Sequence, residues 1–208
     1  MYYELAVNYK GTYEVFRPFA PAKDRGAWEQ VNETVREAAV REGEKNIGYR
    51  YPMLPATKYM EYCRIGNRKM YEDLYFERRR TLNTLVMAEC AEYKGRFLDD
   101  IINGIMAICE ESGWQIPAHN NYLNTESLCL PDHEMPIIDL FAAETAEQLA
   151  MVSYLLKDEL DSVTPLITKR IHEEIGKRIL IPYLGDKFHW MGGWNGPINN
   201  WTPWITQN

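Results

Sequence analysis

The chain has 208 residues, of which 46% are hydrophobic and 25% charged, and its formal net charge is −7. This length and composition are typical of one soluble globular domain with a substantial core. The negative charge argues against a general nucleic-acid or anionic-membrane binder, because such partners are usually met by an excess of lysine and arginine. No stretch approaches the ~20 apolar residues that a membrane-spanning helix needs.

The N-terminus, Met1 to Leu5, lacks the basic region and apolar run of a secretory signal. The sequence as given predicts a cytoplasmic protein, or a periplasmic or secreted one if a signal has been trimmed. The four cysteines are widely scattered without a CxxC pair, and Cys90 and Cys109 lie within apolar helical patterns. We expect free buried thiols there rather than disulfides or metal ligands.

From Asp24 onward, short Pro and Gly breaks separate segments of helical periodicity, with few alternating β-branched runs. We predict helices over about residues 24–44, 55–63, 69–92, 96–112, 137–156 and 165–181. The fifth is apolar on nearly all sides, which indicates a helix buried in the middle of the domain. Pro182 and Gly185 are predicted to mark the end of the sixth.

Consecutive helices with short connections usually lie antiparallel, so the sequence predicts an all-α stack of helical hairpins. Alternate connections then emerge at the same end of the stack. The loops of about residues 113–136 and 183–200 should therefore lie on one rim. These are the two longest loops of the helical part, and we predict that they form a shared cleft.

Both loops mix aromatic side chains with amides and histidines. Aromatic faces can stack on the C–H faces of a sugar ring, while amides and imidazoles bond to its hydroxyls or carboxylate. We therefore predict a carbohydrate site here. The first loop contributes Trp114, His119, Asn120, Asn121 and Tyr122, and the second contributes His189, Trp190, Trp194, Asn199, Asn200 and Trp201.

Three stretches between Glu89 and Asn208 are more distinctive: AECAEYKGRFLDDIINGIMAICEESGWQIPAHNNY, PIIDLFAAETAEQLAMVSYLLKDEL, and the terminal HWMGG with NNWTPWITQN. Together they resemble the heparinase II/III-like proteins, polysaccharide lyases whose N-terminal part is an incomplete α/α toroid. The resemblance implies that residues 1–208 are one toroid-like domain, truncated at its C-terminus. The remaining helices and a C-terminal β-sandwich domain are then expected beyond Asn208.

The resemblance implies cleavage of uronic-acid-containing polysaccharide by β-elimination, without a metal or cofactor. An asparagine of an Asn-rich motif neutralises the uronate carboxylate in this family, and Asn200 matches that position, with Asn199 before it. Removing the proton alpha to a carboxylate leaves an enolate-like charge, which neutral hydrogen-bond donors stabilise. Related alginate lyases have a histidine where this chain has Trp201, a departure that disfavours alginate-type substrates.

The family's catalytic tyrosine and a later histidine would also lie beyond Asn208, so we expect the chain alone to be inactive. His119 and His189 are candidates for substrate binding or proton transfer. His119 could instead bond to backbone carbonyls, and His189 could be a stacked structural residue. For Asn200 and Trp201 the structural alternative is a helix start in which the asparagine caps and the tryptophan packs.

Two other functions stay open: an α/α-barrel glycoside hydrolase with two carboxylates, and a non-catalytic carbohydrate-binding domain. Asp99-Asp100 and Glu110-Glu111 could supply paired carboxylates, but the acid and base of a hydrolase must face each other across a sugar ring. Neighbours on a helix diverge by about 100°, so neither pair qualifies by itself, and we predict that both pairs are surface charge. The run of Arg78, Arg79 and Arg80 beside acidic residues predicts ion pairs on an exposed face. An incomplete toroid also leaves one face uncovered, so we expect self-association.

Overall fold

A computed structural model describes residues 17–121, 128–185, 188–192 and 199–207. Within these ranges the chain is helical and contains no strand, which confirms the predicted all-α class. The helices are α1 (Arg25–Glu29), α2 (Glu33–Glu44), α3 (Ala56–Ile65), α4 (Lys69–Glu92), α5 (Leu98–Cys109), α6 (Leu140–Leu155), α7 (Lys157–Val163), α8 (Leu166–Ile175), α9 (Ile181–Gly185) and α10 (Trp201–Gln207). In the described part, no helix has the length and hydrophobicity that crossing a membrane requires.

The first predicted helix is two helices. Asp24 caps α1 through a bond from the Ala27 amide, as expected, but Asn32 provides a second cap by accepting from the Thr34 amide at 2.9 Å. The chain therefore turns between α1 and α2, and the prediction of one helix over residues 24–44 was wrong. In contrast, α4 spans the predicted residues 69–92.

The main core lies between α4, α5, α6 and α8. Helix α4 contacts α2 and α5, while α6 contacts α8 and α10. Fully buried apolar side chains come from α4, α5, α6 and α8, including Leu82, Leu85, Ile101, Ile105, Ile108, Leu149 and Ile171. Each such side chain stabilises the fold by roughly 1.5–3 kcal/mol through its removal from water. Cys90 and Cys109 are buried free thiols within this core, as predicted.

The last long helix changes its hydrogen-bonding pattern before it ends. After α8, residues Gly176–Leu180 form a π-helical turn, in which the Ile181 amide donates to the Gly176 carbonyl five residues back. Helical backbone then continues through Pro182 as α9 to Gly185. The predicted last residue, about Ile181, was four residues too early, because helical backbone continues through Pro182. The prediction that Gly185 marks the end is confirmed.

Two of the three consecutive arginines lie inside the protein. Arg78 and Arg79 are each 8% exposed, and both bind the buried carboxylate of Glu111, with the closest contact 2.8 Å between Arg79 Nη2 and Glu111 Oε2. Arg79 also donates to the Thr145 hydroxyl, and its guanidinium lies over the Tyr75 ring. The predicted exposed ion pairs of Arg78 and Arg79 and the surface placement of Glu111 were wrong, since these charges form one buried network between α4, α6 and the residues that follow α5. Asp100, also predicted to be surface charge, is buried as well.

Candidate functional site

The two loops that parity placed on one rim do meet. The ring of His119, from the first loop, lies 4.5 Å from the ring of Trp201, at the end of the second. A second link lies just after the first loop, where the Trp190 indole donates to the Ile138 carbonyl at 2.7 Å. Two predicted site residues, Tyr122 and Trp194, fall outside the described residues.

His119 is paired with a carboxylate that the sequence did not identify. His119 is the last residue of a short 3₁₀ turn, Pro117–His119. Its Nδ1 lies 2.8 Å from Oδ2 of Asp139. Asp139 is fully buried and also caps α6, because its Oδ1 accepts from the Ala142 amide at 2.7 Å. The same Oδ2 accepts from the Ile116 amide at 3.2 Å. The predicted alternative, a histidine bonded to backbone carbonyls, is not the contact observed.

Aromatic rings enclose the imidazole of His119. Phe141, the second residue of α6, stacks parallel to it with ring centroids 5.8 Å apart. The plane of the Trp201 ring is inclined to the imidazole by 56°. His189 meets the same indole edge-on, 5.1 Å between centroids. Burial lowers the pKa of His189, and the nearby His119 lowers it further. Trp201 is therefore in contact with two imidazoles, those of His119 and His189.

The adjacent asparagines have different roles at the start of α10. Asn199 accepts from the Trp201 amide through Oδ1 at 2.9 Å, and its carbonyl accepts from the Thr202 amide. This is the capping role that the structural alternative gave to Asn200. Asn200 itself is exposed, and its side chain forms no hydrogen bond to another described residue. Asn200 is thus an exposed residue directly before Trp201 in sequence.

Two of the predicted sugar-contacting tryptophans are core residues. Trp114 is 2% exposed and donates its indole N–H to the Ile108 carbonyl at 3.0 Å. Trp190 is 1% exposed and stacks between Phe188 and Tyr183. Because neither indole has a face open to solvent, the prediction that they contact a sugar is corrected: they hold the loops to the helices.

Asn120 is also structural. It is completely buried, accepts from the Gln115 side chain, and donates to the carbonyls of Leu128 and Leu130. These bonds close the first loop on itself. Asn120 therefore stabilises the loop, and the prediction that it contacts substrate was wrong. The neighbouring Asn121 is half-buried.

A groove of about 580 Å³ lies between α4 and α6, and Phe141 is one of its lining residues. The lining includes three aromatic rings together with amides and charged groups: Phe76, Phe141, Trp204, Asn83, Gln148, Arg80 and Glu144. Trp204 is 53% exposed and donates its indole N–H to Glu144 at 3.1 Å. Burial raises the pKa of Glu144, against the lowering effect of that bond.

The sequence contained signals for two of the residues that it failed to identify. Asp139 directly precedes an apolar helix, which is the position of an N-cap, and Trp204 follows Trp201 by one helical turn. Neither signal reveals a partner that is distant in sequence. Among the described residues, no group of three or more His, Cys, Asp or Glu side chains could hold a metal ion.

Comparisons with known proteins do not add a family to this geometry. No protein-family model matches the sequence, and no curated protein matches it either.

Proposed function

We propose that this chain is the cleft-bearing, toroid-like N-terminal part of a heparinase II/III-like polysaccharide lyase. Its substrate would be a uronic-acid-containing polysaccharide, cleaved by β-elimination. The motif resemblance supplies the family. The observation that carries the proposal is the contact between His119 and Trp201 beside the open amide of Asn200.

The three groups offer what β-elimination needs near the scissile bond. Asn200 would donate its amide N–H to the uronate carboxylate, which stabilises the charge that develops when the alpha proton leaves. The half-buried indole of Trp201 would pack against the sugar ring. His119 and His189, whose rings both contact that indole, would be available for proton transfer.

The groove between α4 and α6 would take the neighbouring sugars of the polymer. Phe141 links the groove to the rim, because it stacks on His119 and is also one of the residues that line the groove. Arg80, the exposed member of the arginine run, lies in this lining and forms no ion pair with the other described residues. It supplies a local positive charge for an acidic polymer on a chain whose net charge is −7.

The test is ultraviolet absorbance of the unsaturated uronate product. The natural polypeptide that carries this chain is incubated with heparan-type, chondroitin-type and other uronate polymers. We expect absorbance with one polymer class, lost in Asn200→Ala and largely retained in Asn199→Ala. The second variant is the matched control, because it weakens the start of α10 while leaving Asn200 in place. Absence of unsaturated product from the whole panel would overturn the proposal.

The second candidate, a glycoside hydrolase, is favoured by one observation. Glu144 lines the groove and has a raised pKa, which suits a general acid, and Glu147 lies one helical turn away. A hydrolase would release reducing ends without unsaturated product, and Glu144→Gln would abolish that release. Binding of a polymer without either product would indicate the carbohydrate-binding domain.

A further inference from the structure

We infer that Asp139 is a positioning residue that fixes the tautomer of His119, so that Nε2 accepts the proton in the proposed elimination. The chemical step rests on the proposed function. The tautomer does not, because it is a property of the folded chain that can be measured without any substrate.

Hydrogen-bond donors surround the carboxylate of Asp139. Its carboxylate is completely buried, yet both oxygens are occupied by donors: the Ala142 amide on Oδ1, and the Ile116 amide and His119 Nδ1 on Oδ2. It also stands at the N-terminus of α6, a helix of 16 residues, where the helix dipole is positive. An ionised carboxylate can only accept hydrogen bonds, so the proton between it and His119 belongs to Nδ1.

The proton on Nδ1 determines what the rest of the ring can do. In a neutral imidazole with Nδ1–H, the other nitrogen carries a lone pair and acts as acceptor. The ring is kept in this orientation by Phe141 against one side and Trp201 at 4.5 Å. The His119 side chain is 17% exposed, and Nε2 has no hydrogen bond to another described residue. Nε2 is thus the nitrogen left for a substrate.

The proposed step balances with water as the acid. The proton alpha to the uronate carboxylate moves to Nε2, and its C–H electron pair becomes the new carbon–carbon double bond. The C–O bond on the neighbouring carbon breaks with its electron pair, and the departing oxygen takes a proton from water. The hydroxide left behind then takes the proton from Nε2 and restores the neutral ring. The imidazolium that forms remains paired with Asp139 at 2.8 Å, as a buried carboxylate supports a histidine base in general.

Helix capping alone does not account for this arrangement. A cap needs one oxygen on the first turn, and Oδ1 fills that role. Oδ2 faces the other way, toward the loop that carries His119. Substitutions that keep a capping oxygen but remove the charge can therefore separate the two roles. Asn and Ser are both good caps, and only Asn is long enough to reach the imidazole.

The experiment is NMR of the histidine ring nitrogens in the 15N-histidine-labelled chain, at a pH where the His119 ring is neutral. His119→Gln assigns the signals. We expect the Nδ1–H tautomer in the wild type, the Nε2–H tautomer in Asp139→Asn, whose amide would donate to Nδ1, and a mixture in Asp139→Ser. The signals of His172, which is bonded to Ser153, are the internal control. An Nε2–H tautomer in the wild type would overturn the inference, even if both variants failed to fold.

The chemical step is tested separately by the product assay. In the active polypeptide, Asp139→Asn should lower kcat/KM by roughly 10³-fold to 10⁴-fold, by analogy with the loss when a triad aspartate is replaced in serine proteases. A wild type with the expected tautomer but no unsaturated product would overturn the proposed function and leave the positioning intact. A normal rate in a variant whose tautomer has switched would overturn the assignment of Nε2 as the acceptor.

Discussion

The buried network around Glu111 and the rim around His119 are built from similar polar and aromatic groups, but they differ in how many polar atoms are already bonded. In the network, both carboxylate oxygens of Glu111 accept from arginines. Arg79 also donates to the Thr145 hydroxyl and the Tyr75 carbonyl, and its guanidinium lies over the Tyr75 ring. On the rim, Asn200 and Nε2 of His119 have no partner among the described residues. Fully bonded buried groups hold a scaffold, whereas unbonded groups on a rigid scaffold are available to a ligand.

The network also supports the rim directly. The hydroxyl of Tyr75 contacts Thr145 at 3.0 Å and reaches the carbonyls of Trp114 and Phe141 at 2.6 and 3.2 Å. Trp114 begins the loop that carries His119, and Phe141 stacks on that histidine. The ion pairs of the interior are thus one contact away from the backbone that positions the candidate site.

The largest expected loss of stability distinguishes a buried indole, that of Trp190, from an exposed one, that of Trp204. Trp190→Ala is expected to lower the free energy of unfolding by about 4 kcal/mol, because it leaves a cavity and an unbonded Ile138 carbonyl. Trp204→Ala, which removes an exposed indole, should cost less than about 1 kcal/mol. Urea unfolding of both variants measures the difference. Equal losses would mean that Trp190 is not part of the scaffold.

The second-largest loss of stability is expected when the central carboxylate of the buried network, Glu111, is replaced. Glu111→Gln is expected to cost about 3 kcal/mol, because two buried guanidinium groups lose their counter-charge. Glu110→Gln is the matched control: it changes the same functional group one residue earlier, at an exposed position, and should stay within about 0.5 kcal/mol. Urea midpoints report both. A loss from Glu111→Gln no larger than that of the control would contradict the burial of this network.

A smaller effect separates the two asparagines. Asn199→Ala should destabilise the chain by about 1 kcal/mol, since α10 loses its capping bond from the Trp201 amide. Asn200→Ala should change stability by less than about 0.5 kcal/mol, because its exposed amide supports no described contact. Thermal and urea unfolding of the pair measure this. The reverse order would return the capping role to Asn200 and remove its availability to substrate.

The smallest expected effect is the pH dependence of stability that His189, on the rim, produces. Burial lowers the pKa of His189 in the folded state below the ordinary value of 6.5, so the unfolded chain binds more protons as the pH falls through that value. Stability should therefore decrease from about pH 6.5 downward, by less than about 0.5 kcal/mol after solvent screening. His189→Gln should remove this slope, and exposed His133→Gln should keep it. Identical pH curves for the two variants would contradict the prediction.

Local signals predicted most of the helices. Helix α4 was predicted at its observed ends. Glycines act locally, which is why Gly66 ends α3 with a left-handed backbone angle. The break at Asn32 was missed because the helical periodicity runs across it. The meeting of the two loops was also predictable, since it follows from the parity of antiparallel helices.

Burial of individual polar and aromatic residues was not predictable from the same pattern. Arg78 and Arg79 look like surface residues because their acidic neighbours are close in sequence, yet their partner Glu111 is more than thirty residues away. The indoles of Trp190 and Trp201 are equally suited to a sugar in composition. Only tertiary packing decides that one lies under the rim and the other on it.

The π-helical turn at Gly176–Leu180 accommodates one residue more than an α-helical turn would. With α-helical geometry throughout, that extra residue would rotate everything after it by about 100°. The bulge absorbs it, so that Ile171 before the turn faces the core and Tyr183 after it stays parallel to Trp190. A one-residue deletion inside the bulge should therefore preserve the phase between α8 and α9, whereas the same deletion inside α8 would lose it.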